Sequence, residues 1–355
     1  MQSIKSSDYK VHFNANAYKE LNKYLSKKQH SKLFIIVDEN TFTDCYPLFM
    51  EQLEVEIDTE VIEIEAGEIH KNIETCSGLW NVLTELGADR KSLIINLGGG
   101  VITDMGGFVA STYKRGISFI NVPTTLLSMV DASVGGKTGV DLGVLKNQIG
   151  LFSNPEMVLI DSTYLNTVSE REIKSGLAEV IKYGLIRDNK LWVQIRNLND
   201  LNIKLINSIV YESIKIKNDI VIEDPKESGL RKSLNFGHTL GHAIESYFLE
   251  SEEKETLTHG EAIAVGMITE SYVSHKLLSF PLEKLKEVKQ TILSIFGVID
   301  LKNTDYESIL PLLKHDKKNT NGNVNFVLLS DFEEFKIDCI VPQELLIESL
   351  NYYLS

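Results

Sequence analysis

The fold is decided by the stretch Ser92-Leu-Ile-Ile-Asn-Leu97-Gly98-Gly99-Gly100-Val-Ile-Thr-Asp104, in which an apolar run stops at three glycines. Such a run predicts a buried strand, and the residues after it predict the first turn of a helix. Glycines at this turn would let the backbone approach a pyrophosphate at the amino end of that helix. Because Thr103 stands where a standard dinucleotide fingerprint has its third glycine, the motif alone leaves a dinucleotide site and a structural turn both open.

Three more apolar runs have the same form. They end at polar or proline turns: residues 33–37 before Asp38, residues 117–122 before Pro123, and residues 157–160 before Asp161. Continuous apolar strands with helix-length segments between them predict a parallel sheet that is buried on both faces. Ligands of such sheets bind where the strands end at their carboxyl side, so these turn residues are the predicted lining of a crevice.

The sequence pattern becomes mainly helical after about residue 165. Ser169 with Glu172 has the spacing of a capping box, and the segment Thr258-His-Gly-Glu261 predicts a second helix start. From there to the end of the chain the pattern is mostly helical. We therefore predict an α/β domain with a parallel, Rossmann-like sheet over residues 1–165 and a mainly α-helical domain over residues 166–355.

Composition excludes several classes of protein. The formal net charge of −14 argues against nucleic acid or an anionic membrane as the main partner. The three cysteines are far apart in the sequence and form no pair typical of a disulfide framework. No segment approaches the roughly 18 consecutive apolar residues of a membrane span, and no signal peptide is recognised. We therefore expect a cytoplasmic protein.

Two sets of residues carry candidate chemistry. The segment 131–147 is a predicted glycine-lined loop with the amines of Lys137 and Lys146, which suit anionic groups. Glu179, His238 and His259 offer one carboxylate and two imidazoles, the ligand types of a catalytic zinc site with one position left open. Together they suggest an enzyme that acts on a small phosphorylated polyol.

Two well-known motifs are present only in part. Gly136-Lys137-Thr138 resembles the end of a P-loop, but Asp131 stands where that loop needs a glycine. His238 and His242 lie one helical turn apart, but a zinc protease would need glutamate where Thr239 stands. Taken without context, two histidines at this spacing could equally be buried and hydrogen-bonded. The other histidines show no partner pattern and are expected to be structural: His12, His30, His70, His275 and His315.

Taken together, the motifs resemble those of the 3-dehydroquinate synthase family of sugar-phosphate cyclases. The resemblance extends from about Asp38 to Lys318 and rests on ordered segments: residues 98–108, Pro123-Thr-Thr125, Asp131-Ala-Ser-Val-Gly-Gly-Lys-Thr-Gly139, Lys146-Asn147, Gly176-Leu-Ala-Glu-Val-Ile-Lys182, residues 234–245, His259-Gly-Glu-Ala262 and Asp316-Lys-Lys318. Thr103, Leu145 and Leu240 replace residues that are more usual in that family. None of the three removes a charged or liganding group.

The resemblance implies an N-terminal NAD-binding domain, a helical metal- and substrate-binding domain, and a homodimer. It implies Zn²⁺, with Co²⁺ as a possible substitute, on Glu179, His238 and His259. The implied NAD⁺ contacts are Asp38, Asn40, Glu68, Lys71, Gly99, Gly100, Asp104, Thr124 and Thr125.

The resemblance also implies a substrate site. Its residues are Asp131, Lys137, Lys146, Asn147, Lys182, Lys217, Arg231, Asn235, His242, Lys317 and Lys318, with Arg115 reaching the phosphate site of the neighbouring subunit. Catalytic roles are expected for Lys137, Lys182, Glu227 and His242.

The implied reaction converts 3-deoxy-D-arabino-heptulosonate 7-phosphate into 3-dehydroquinate and phosphate. It combines transient oxidation by NAD⁺, phosphate elimination, reduction and an intramolecular aldol closure. Related cyclases act on sedoheptulose 7-phosphate or glucose 6-phosphate, which lack a carboxylate, so Lys217 and Arg231 argue against them. A metal-dependent alcohol or glycerol dehydrogenase would have no use for so many anion-binding residues. An inactive NAD-binding protein would be expected to lack a metal ligand or a pocket lysine.

Overall fold

The computed structural model describes residues 1–143, 145–197, 202–315 and 324–355. The strands of this part are β1 Ile4–Lys5, β2 Lys10–Phe13, β3 Leu33–Asp38, β4 Thr59–Ile64, β5 Leu93–Gly98, β6 Ser118–Pro123, β7 Lys137–Leu142, β8 Leu145–Phe152, β9 Met157–Ile160, β10 Asn325–Asp331 and β11 Glu334–Ile340. Its α-helices are α1 Ala15–Lys27, α2 Glu39–Asp44, α3 Tyr46–Met50, α4 Ile73–Glu85, α5 Gly100–Thr112, α6 Glu170–Ile186, α7 Asn189–Arg196, α8 Ile203–Glu223, α9 His238–Glu250, α10 His259–Leu278, α11 Leu282–Phe296, α12 Tyr306–Leu312 and α13 Gln343–Leu354.

The main sheet has seven strands in the order β1-β2-β9-β6-β5-β3-β4. Its neighbouring strands run parallel except for the first pair, β1 and β2, which is antiparallel. The four apolar runs of the sequence become β3, β5, β6 and β9, which confirms the predicted parallel sheet. Their residues are almost completely buried because helices cover both faces of such a sheet.

Contacts divide the described chain into two compact units. The first unit comprises residues 1–143, 147–169 and 202–218, and the second comprises the described residues of 144–146, 170–201 and 219–355. Most of α8 therefore packs with the sheet-containing unit, although it follows α6 and α7 in sequence. The domain boundary between residues 165 and 166 stays a prediction.

Specific contacts attach α8 to the first unit. The ring of Tyr211 lies 5.3 Å from that of Phe13 at the end of β2. The side-chain oxygen of Asn207 accepts hydrogen bonds from Asn14 at 3.1 Å and from Ser162 at 3.1 Å. These groups follow β2 and β9 directly, so α8 is held at the carboxyl ends of those strands.

The predicted loop over residues 131–147 is wrong in part, because much of it is a β-hairpin. A short π-helix, Ser128–Ala132, is followed by a turn and then by the paired strands β7 and β8. A Cβ atom on Gly139 would lie 2.4 Å from the carbonyl oxygen of Ile149, and one on Gly150 would lie 2.3 Å from that of Thr138. These two glycines therefore allow a close approach of two strands.

The second unit is mainly helical, as predicted, but it also contains the antiparallel hairpin β10–β11. The sequence pattern predicts mostly helix for this segment, so the hairpin is a departure from the prediction. The alternating exposure of β11 is typical of a strand with one face toward solvent, and its short window is easily missed. Within the described ranges, no helix is long and apolar enough to span a bilayer.

Two helices of the second unit, α9 and α10, approach each other very closely. A Cβ atom on Gly266 would lie 1.8 Å from the carbonyl oxygen of Gly237, which has a positive φ of 78° and precedes α9. The predicted start of α10 is confirmed, since Thr258 and Glu261 form a capping box. The two helices begin with His238 and His259. Close backbone contacts at glycines hold them against each other.

Candidate active site

Three side chains of the second unit form a group that could hold a metal ion. The Oε1 atom of Glu179 lies 3.2 Å from Nε2 of His238 and 3.3 Å from Nε2 of His259. Glu179, in the middle of α6, is completely buried, and both histidines are the first residues of their helices. The predicted ligands are therefore brought together, with ligand atoms within 4.8 Å of one another.

Both histidines present Nε2 to Glu179 because a neighbour engages the other ring nitrogen. The Nδ1 atom of His238 lies 3.0 Å from the carbonyl oxygen of Phe236, which can only accept. The Nδ1 atom of His259 lies 3.2 Å from Oε2 of Glu245. A proton on each Nδ1 leaves Nε2 to bind a metal, so the donor set suits Zn²⁺.

Electrostatics shift the pKa values of this group. Burial and the nearby Lys182 lower the pKa of His238 to about 4. Burial opposes the charge of His259, but Glu245 and Glu179 raise the pKa of this histidine to about 10. Burial also opposes the charge of Glu245, yet His259 and Lys146 lower its pKa to about 2. A metal at this site therefore competes with a proton on His259.

Three cations of the second unit were predicted to bind substrate or to act in catalysis. Lys182 is buried and forms an ion pair with Glu179, one turn away on α6. Lys146 on β8 lies 3.6 Å from Oε1 of Glu245. Arg231 is only 1% exposed, and its Nη1 donates to the carbonyl oxygen of Pro225 at 2.8 Å. Lys182 and Lys146 thus lie beside the metal-site residues.

The remaining predicted residues of this unit lie on α9 or just before it. The ring of His242 is 5.2 Å from that of His238 and 5.9 Å from that of His259, as expected for one helical face. Asn235 donates from Nδ2 to Oε1 of Glu227 at 2.8 Å. Lys317 and Lys318 lie outside the described residues.

The glycine turn of the first unit follows β5 and begins α5, as predicted. Gly99 caps α5, and a Cβ atom there would lie 3.2 Å from Cγ2 of Thr125. The amide of Thr124, after β6, donates to the carbonyl oxygen of Gly98 at 3.1 Å. Gly99, Gly100, Thr124 and Thr125 therefore lie together at the carboxyl edge of the sheet.

A buried lysine connects residues that were assigned to different ligands. Lys71 donates from Nζ to Asp104 at 2.7 Å and to the side chain of Asn147 at 2.8 Å, and Glu68 lies 3.9 Å away. Although burial opposes its charge, Asp104 and Glu68 hold the pKa of Lys71 above its ordinary value. Asn147, a predicted substrate contact, thus joins three predicted NAD⁺ contacts within this unit.

Two further NAD⁺ candidates lie at the end of β3. Oδ1 of Asp38 accepts hydrogen bonds from the amide of Thr41 at 2.7 Å and from its hydroxyl at 2.9 Å, forming the cap of α2. Asn40 is exposed on the same helix. The position of Asp38 at the sheet edge agrees with a role toward a ribose hydroxyl, but its cap contacts also give it a structural role.

Among the other substrate candidates of the first unit, Lys217 and Asp131 are in contact, whereas Arg115 lies apart. Nζ of Lys217 lies 2.7 Å from Oδ1 of Asp131 and 2.6 Å from its carbonyl oxygen. Lys137 begins β7. Arg115 is exposed beyond the carboxyl end of α5 and before β6, at the opposite edge of the sheet from Gly99. Within this unit, Arg115 therefore does not meet the other predicted site residues.

Sequence reasoning missed two carboxylates that contact the predicted metal ligands or the helix that begins with one of them. Glu245 contacts His259 and Lys146, as described above. Glu270 on α10 is completely buried and accepts hydrogen bonds from the amides of Gly237 at 2.7 Å and Leu240 at 3.3 Å, at the start of α9. The three-residue spacing of His242 and Glu245 was a possible signal for Glu245, but the contact of Glu270 with α9 depends on tertiary packing.

Comparisons with known proteins agree with this arrangement. The family profile described as 3-dehydroquinate synthase N-terminal matches residues 61–175, and the profile described as 3-dehydroquinate synthase C-terminal matches residues 176–319. The chain is 43% identical over 349 residues to 3-dehydroquinate synthase of Parabacteroides distasonis, and 98% of each chain is covered.

Two solved structures have a similar fold. The crystal structure of 2-deoxy-scyllo-inosose synthase complexed with carbaglucose-6-phosphate, NAD⁺ and Co²⁺ has a TM-score of 0.87 and 26% identity, covering 99% of each chain. The structure of 2-epi-5-epi-valiolone synthase from Streptomyces hygroscopicus with NAD⁺ and Zn²⁺ bound has a TM-score of 0.82 and 22% identity, covering 100% of this chain and 99% of that one. At this identity the second likeness concerns the fold alone. Since both family profiles match and a named relative is 43% identical over almost the full length, the chain belongs to the 3-dehydroquinate synthase family.

Proposed function

We propose that the chain converts 3-deoxy-D-arabino-heptulosonate 7-phosphate into 3-dehydroquinate and phosphate. The observation that carries this proposal is the meeting of His238 and His259 with the buried Glu179, since the Nε2 atoms of both histidines face one carboxylate oxygen of that residue. Family membership supports the reaction, and the related inosose synthase, solved with NAD⁺ and Co²⁺, supports the cofactors. The chain therefore uses NAD⁺ and a divalent metal, of which zinc best suits this ligand set.

The metal, when bound, would supply a Lewis acid for a substrate hydroxyl that loses its proton during oxidation. The surrounding residues prepare that position. Glu179 and the two histidines hold the metal, while Lys182 places a buried positive charge beside Glu179. His242, whose ring lies near both histidine ligands, and Glu227 are proposed to move protons at the substrate.

The cations are proposed to bind the two anionic groups of the substrate. Arg231 and Lys217 suit the carboxylate, since a planar guanidinium can make two parallel hydrogen bonds. The phosphate is assigned to Lys137, Asn235, Lys317 and Arg115, with Arg115 contributed by a neighbouring subunit. Its exposed position at the opposite edge of the sheet supports that assignment. Asp131, Lys146, Asn147 and Lys318 complete the proposed substrate contacts.

NAD⁺ is proposed to bind at the carboxyl edge of the sheet. The Gly99-Gly100 turn at the start of α5 suits a pyrophosphate, and Thr124 and Thr125 lie against it. Asp38, Asn40, Glu68, Lys71 and Asp104 are the other proposed contacts. We propose residues 1–165 as the NAD-binding domain and residues 166–355 as the metal- and substrate-binding domain. The homodimer and a cytoplasmic location are further parts of this proposal, which rest on the family resemblance.

A second candidate is a cyclase that uses a sugar phosphate without a carboxylate. It is favoured by the TM-score of 0.87 with 2-deoxy-scyllo-inosose synthase. Two observations favour the first candidate. Identity to a named 3-dehydroquinate synthase is 43%, against 26% to the inosose synthase, and both Lys217 and Arg231 are present.

Phosphate release and NADH absorbance, followed together, test the proposal. Purified protein with zinc and a small amount of NAD⁺ receives the heptulosonate phosphate, sedoheptulose 7-phosphate or glucose 6-phosphate. We expect many turnovers of phosphate release from the first substrate without net NADH, because the hydride returns to the product. Net NADH would indicate a simple dehydrogenase, and phosphate release only from a substrate without a carboxylate would indicate the second candidate.

A further inference from the structure

We propose that Glu245 is a positioning residue that fixes the tautomer and orientation of His259 for metal binding. This inference rests on the metal site of the proposed function and assigns a role to a residue outside the predicted ligand set. Its basis is a chain of three contacts in the second unit: Lys146 to Glu245, Glu245 to the partly buried His259, and His259 to Glu179.

The contact between Glu245 and His259 determines which ring nitrogen of the histidine carries its proton. Oε2 of Glu245 lies 3.2 Å from Nδ1 of His259, and an ionised carboxylate can only accept. Nδ1 therefore donates its proton to Glu245, and the lone pair needed for a metal is on Nε2. That atom faces Oε1 of Glu179 at 3.3 Å, so the proton on Nδ1 and the metal position lie on opposite sides of one ring.

Glu245 is held in place by burial and by Lys146. The residue is 7% exposed, and such a buried carboxylate needs a partner to stay charged. Its other oxygen, Oε1, lies 3.6 Å from Nζ of Lys146, which is itself 9% exposed. Because α9 carries both Glu245 and His238, the same rigid helix holds one ligand and orients another.

A different arrangement of the same residues would overturn the proposal. His242, Glu245 and His259 also offer ligand atoms within 4.8 Å of one another. If the metal bound there, Glu245 would be a ligand itself, and its loss would have the effect expected for Glu179. With the first arrangement, Glu179→Gln should weaken zinc binding more than Glu245→Gln does. With the second arrangement, the order should be reversed.

Zinc affinity distinguishes these cases and needs no substrate. We would compare wild type, Glu245→Gln and Glu179→Gln by competition with a chromophoric chelator, after removing metal and confirming folding by circular dichroism. A matched control is Glu250→Gln, the same change on the exposed last residue of α9. Loss of a residue that hydrogen-bonds a metal ligand typically lowers metal affinity by about 10- to 100-fold. We therefore expect Glu245→Gln to weaken zinc binding by roughly that factor while still binding one zinc per chain.

The spectrum of the Co²⁺ form provides a second readout. Glu245→Gln should keep the number of ligands while changing the visible bands through the altered His259. Zinc affinity equal to that of wild type and of Glu250→Gln would overturn the proposal. So would complete loss of zinc in Glu245→Gln with retention in Glu179→Gln. A wild-type protein that binds zinc but fails the phosphate-release assay would count against the proposed function alone.

Discussion

At the scale of single residues, the candidate site depends on charges that the protein interior holds in place. Glu179, Lys182 and Arg231 are at most 1% exposed, and removing one member of a buried charged group leaves its partners uncompensated. Substitution of these residues should therefore change metal or substrate binding far more than substitution of a nearby exposed charge does. Exposed charged residues on the same elements thus serve as matched controls.

Glu179→Gln should lose bound metal and turnover together, since a neutral amide is a poor ligand for zinc. We expect more than about 100-fold weaker zinc binding, a larger effect than that of a supporting residue. Metal content after dialysis and phosphate release would be measured on the same samples. Glu170→Gln, at the exposed start of α6, is the control. Full zinc with normal turnover would refute Glu179 as a ligand.

Arg231→Ala should weaken substrate binding by about 1–3 kcal/mol, because a charge-assisted hydrogen bond to the carboxylate is lost. The measurement is the KM and the inhibition constant of a non-reacting substrate analogue. Lys232→Ala is the matched control, since this neighbouring cation pairs instead with Asp338 at 2.8 Å in a partly exposed ion pair. Unchanged affinity in Arg231→Ala would remove the carboxylate role from this residue.

At the scale of elements, two local structures position the site residues. The contact between α9 and α10 holds the first residues of both helices beside Glu179. A turn from Asp224 to Arg231 is organised by one carboxylate, which accepts from the amides of Ser228, Gly229 and Arg231 at 3.0, 2.7 and 3.0 Å. Substitutions in these elements should act on the site without touching a ligand.

Gly266→Ala should destabilise the protein and lower its zinc affinity. The added Cβ atom would meet backbone atoms of Gly237 and Gly241, which cannot move as a flexible side chain could. Overpacking of this kind typically costs about 1–3 kcal/mol. Thermal unfolding and zinc titration would measure both effects. Gly78→Ala in α4, where a Cβ atom meets nothing within 4 Å, should instead stabilise by roughly 0.5–1 kcal/mol.

Asp224→Ala should lower the free energy of unfolding by about 1–3 kcal/mol at neutral pH. Burial opposes the ionisation of Asp224, but the three amide hydrogen bonds lower its pKa to about 2. This pKa is below the value of about 3.9 in the unfolded chain. The contribution of ionised Asp224 to the free energy of unfolding is therefore complete above about pH 4 and is lost as the pH falls through about 2.

Urea unfolding of wild type and Asp224→Ala at several pH values would test this dependence. The difference between the two proteins should shrink as the pH falls from about 4 to about 2. Ser228→Ala, which removes only a hydroxyl bond of 3.1 Å to the same carboxylate, should cost less. A difference that does not vary with pH would show that the charge of Asp224 is not responsible.

At the scale of the whole molecule, metal binding and folding should be coupled because the three proposed ligands come from α6, α9 and α10. Removal of zinc should lower the unfolding temperature, and zinc at about 100 times its Kd should add about 2.7 kcal/mol of stability. Calorimetry of the chelated and reloaded protein would measure the shift. Glu179→Gln should show no such shift, and an equal shift in that variant would indicate that zinc stabilises the protein elsewhere.

Several features could be predicted from sequence because they depend on local patterns. The apolar runs of β3, β5, β6 and β9, the glycine turn before α5 and the capping box of α10 were all anticipated. The predicted ligands Glu179, His238 and His259 also lie together in the structure, although they are far apart in sequence. That step depended on the family resemblance, since spacing alone left the two histidines of α9 open to a structural interpretation.

Local sequence patterns were therefore sufficient to predict the strands and helices of the main sheet, its parallel arrangement, and the residue types available for a metal and for anionic groups. Only contacts between distant residues place α8 against the sheet-containing unit, pair β7 with β8, and bring Glu245 to His259 and Glu270 to the start of α9. The physical reason is that strand and helix periods are set by neighbouring residues. The partner of a buried carboxylate or the face on which a helix packs is set by contacts between residues distant in the chain.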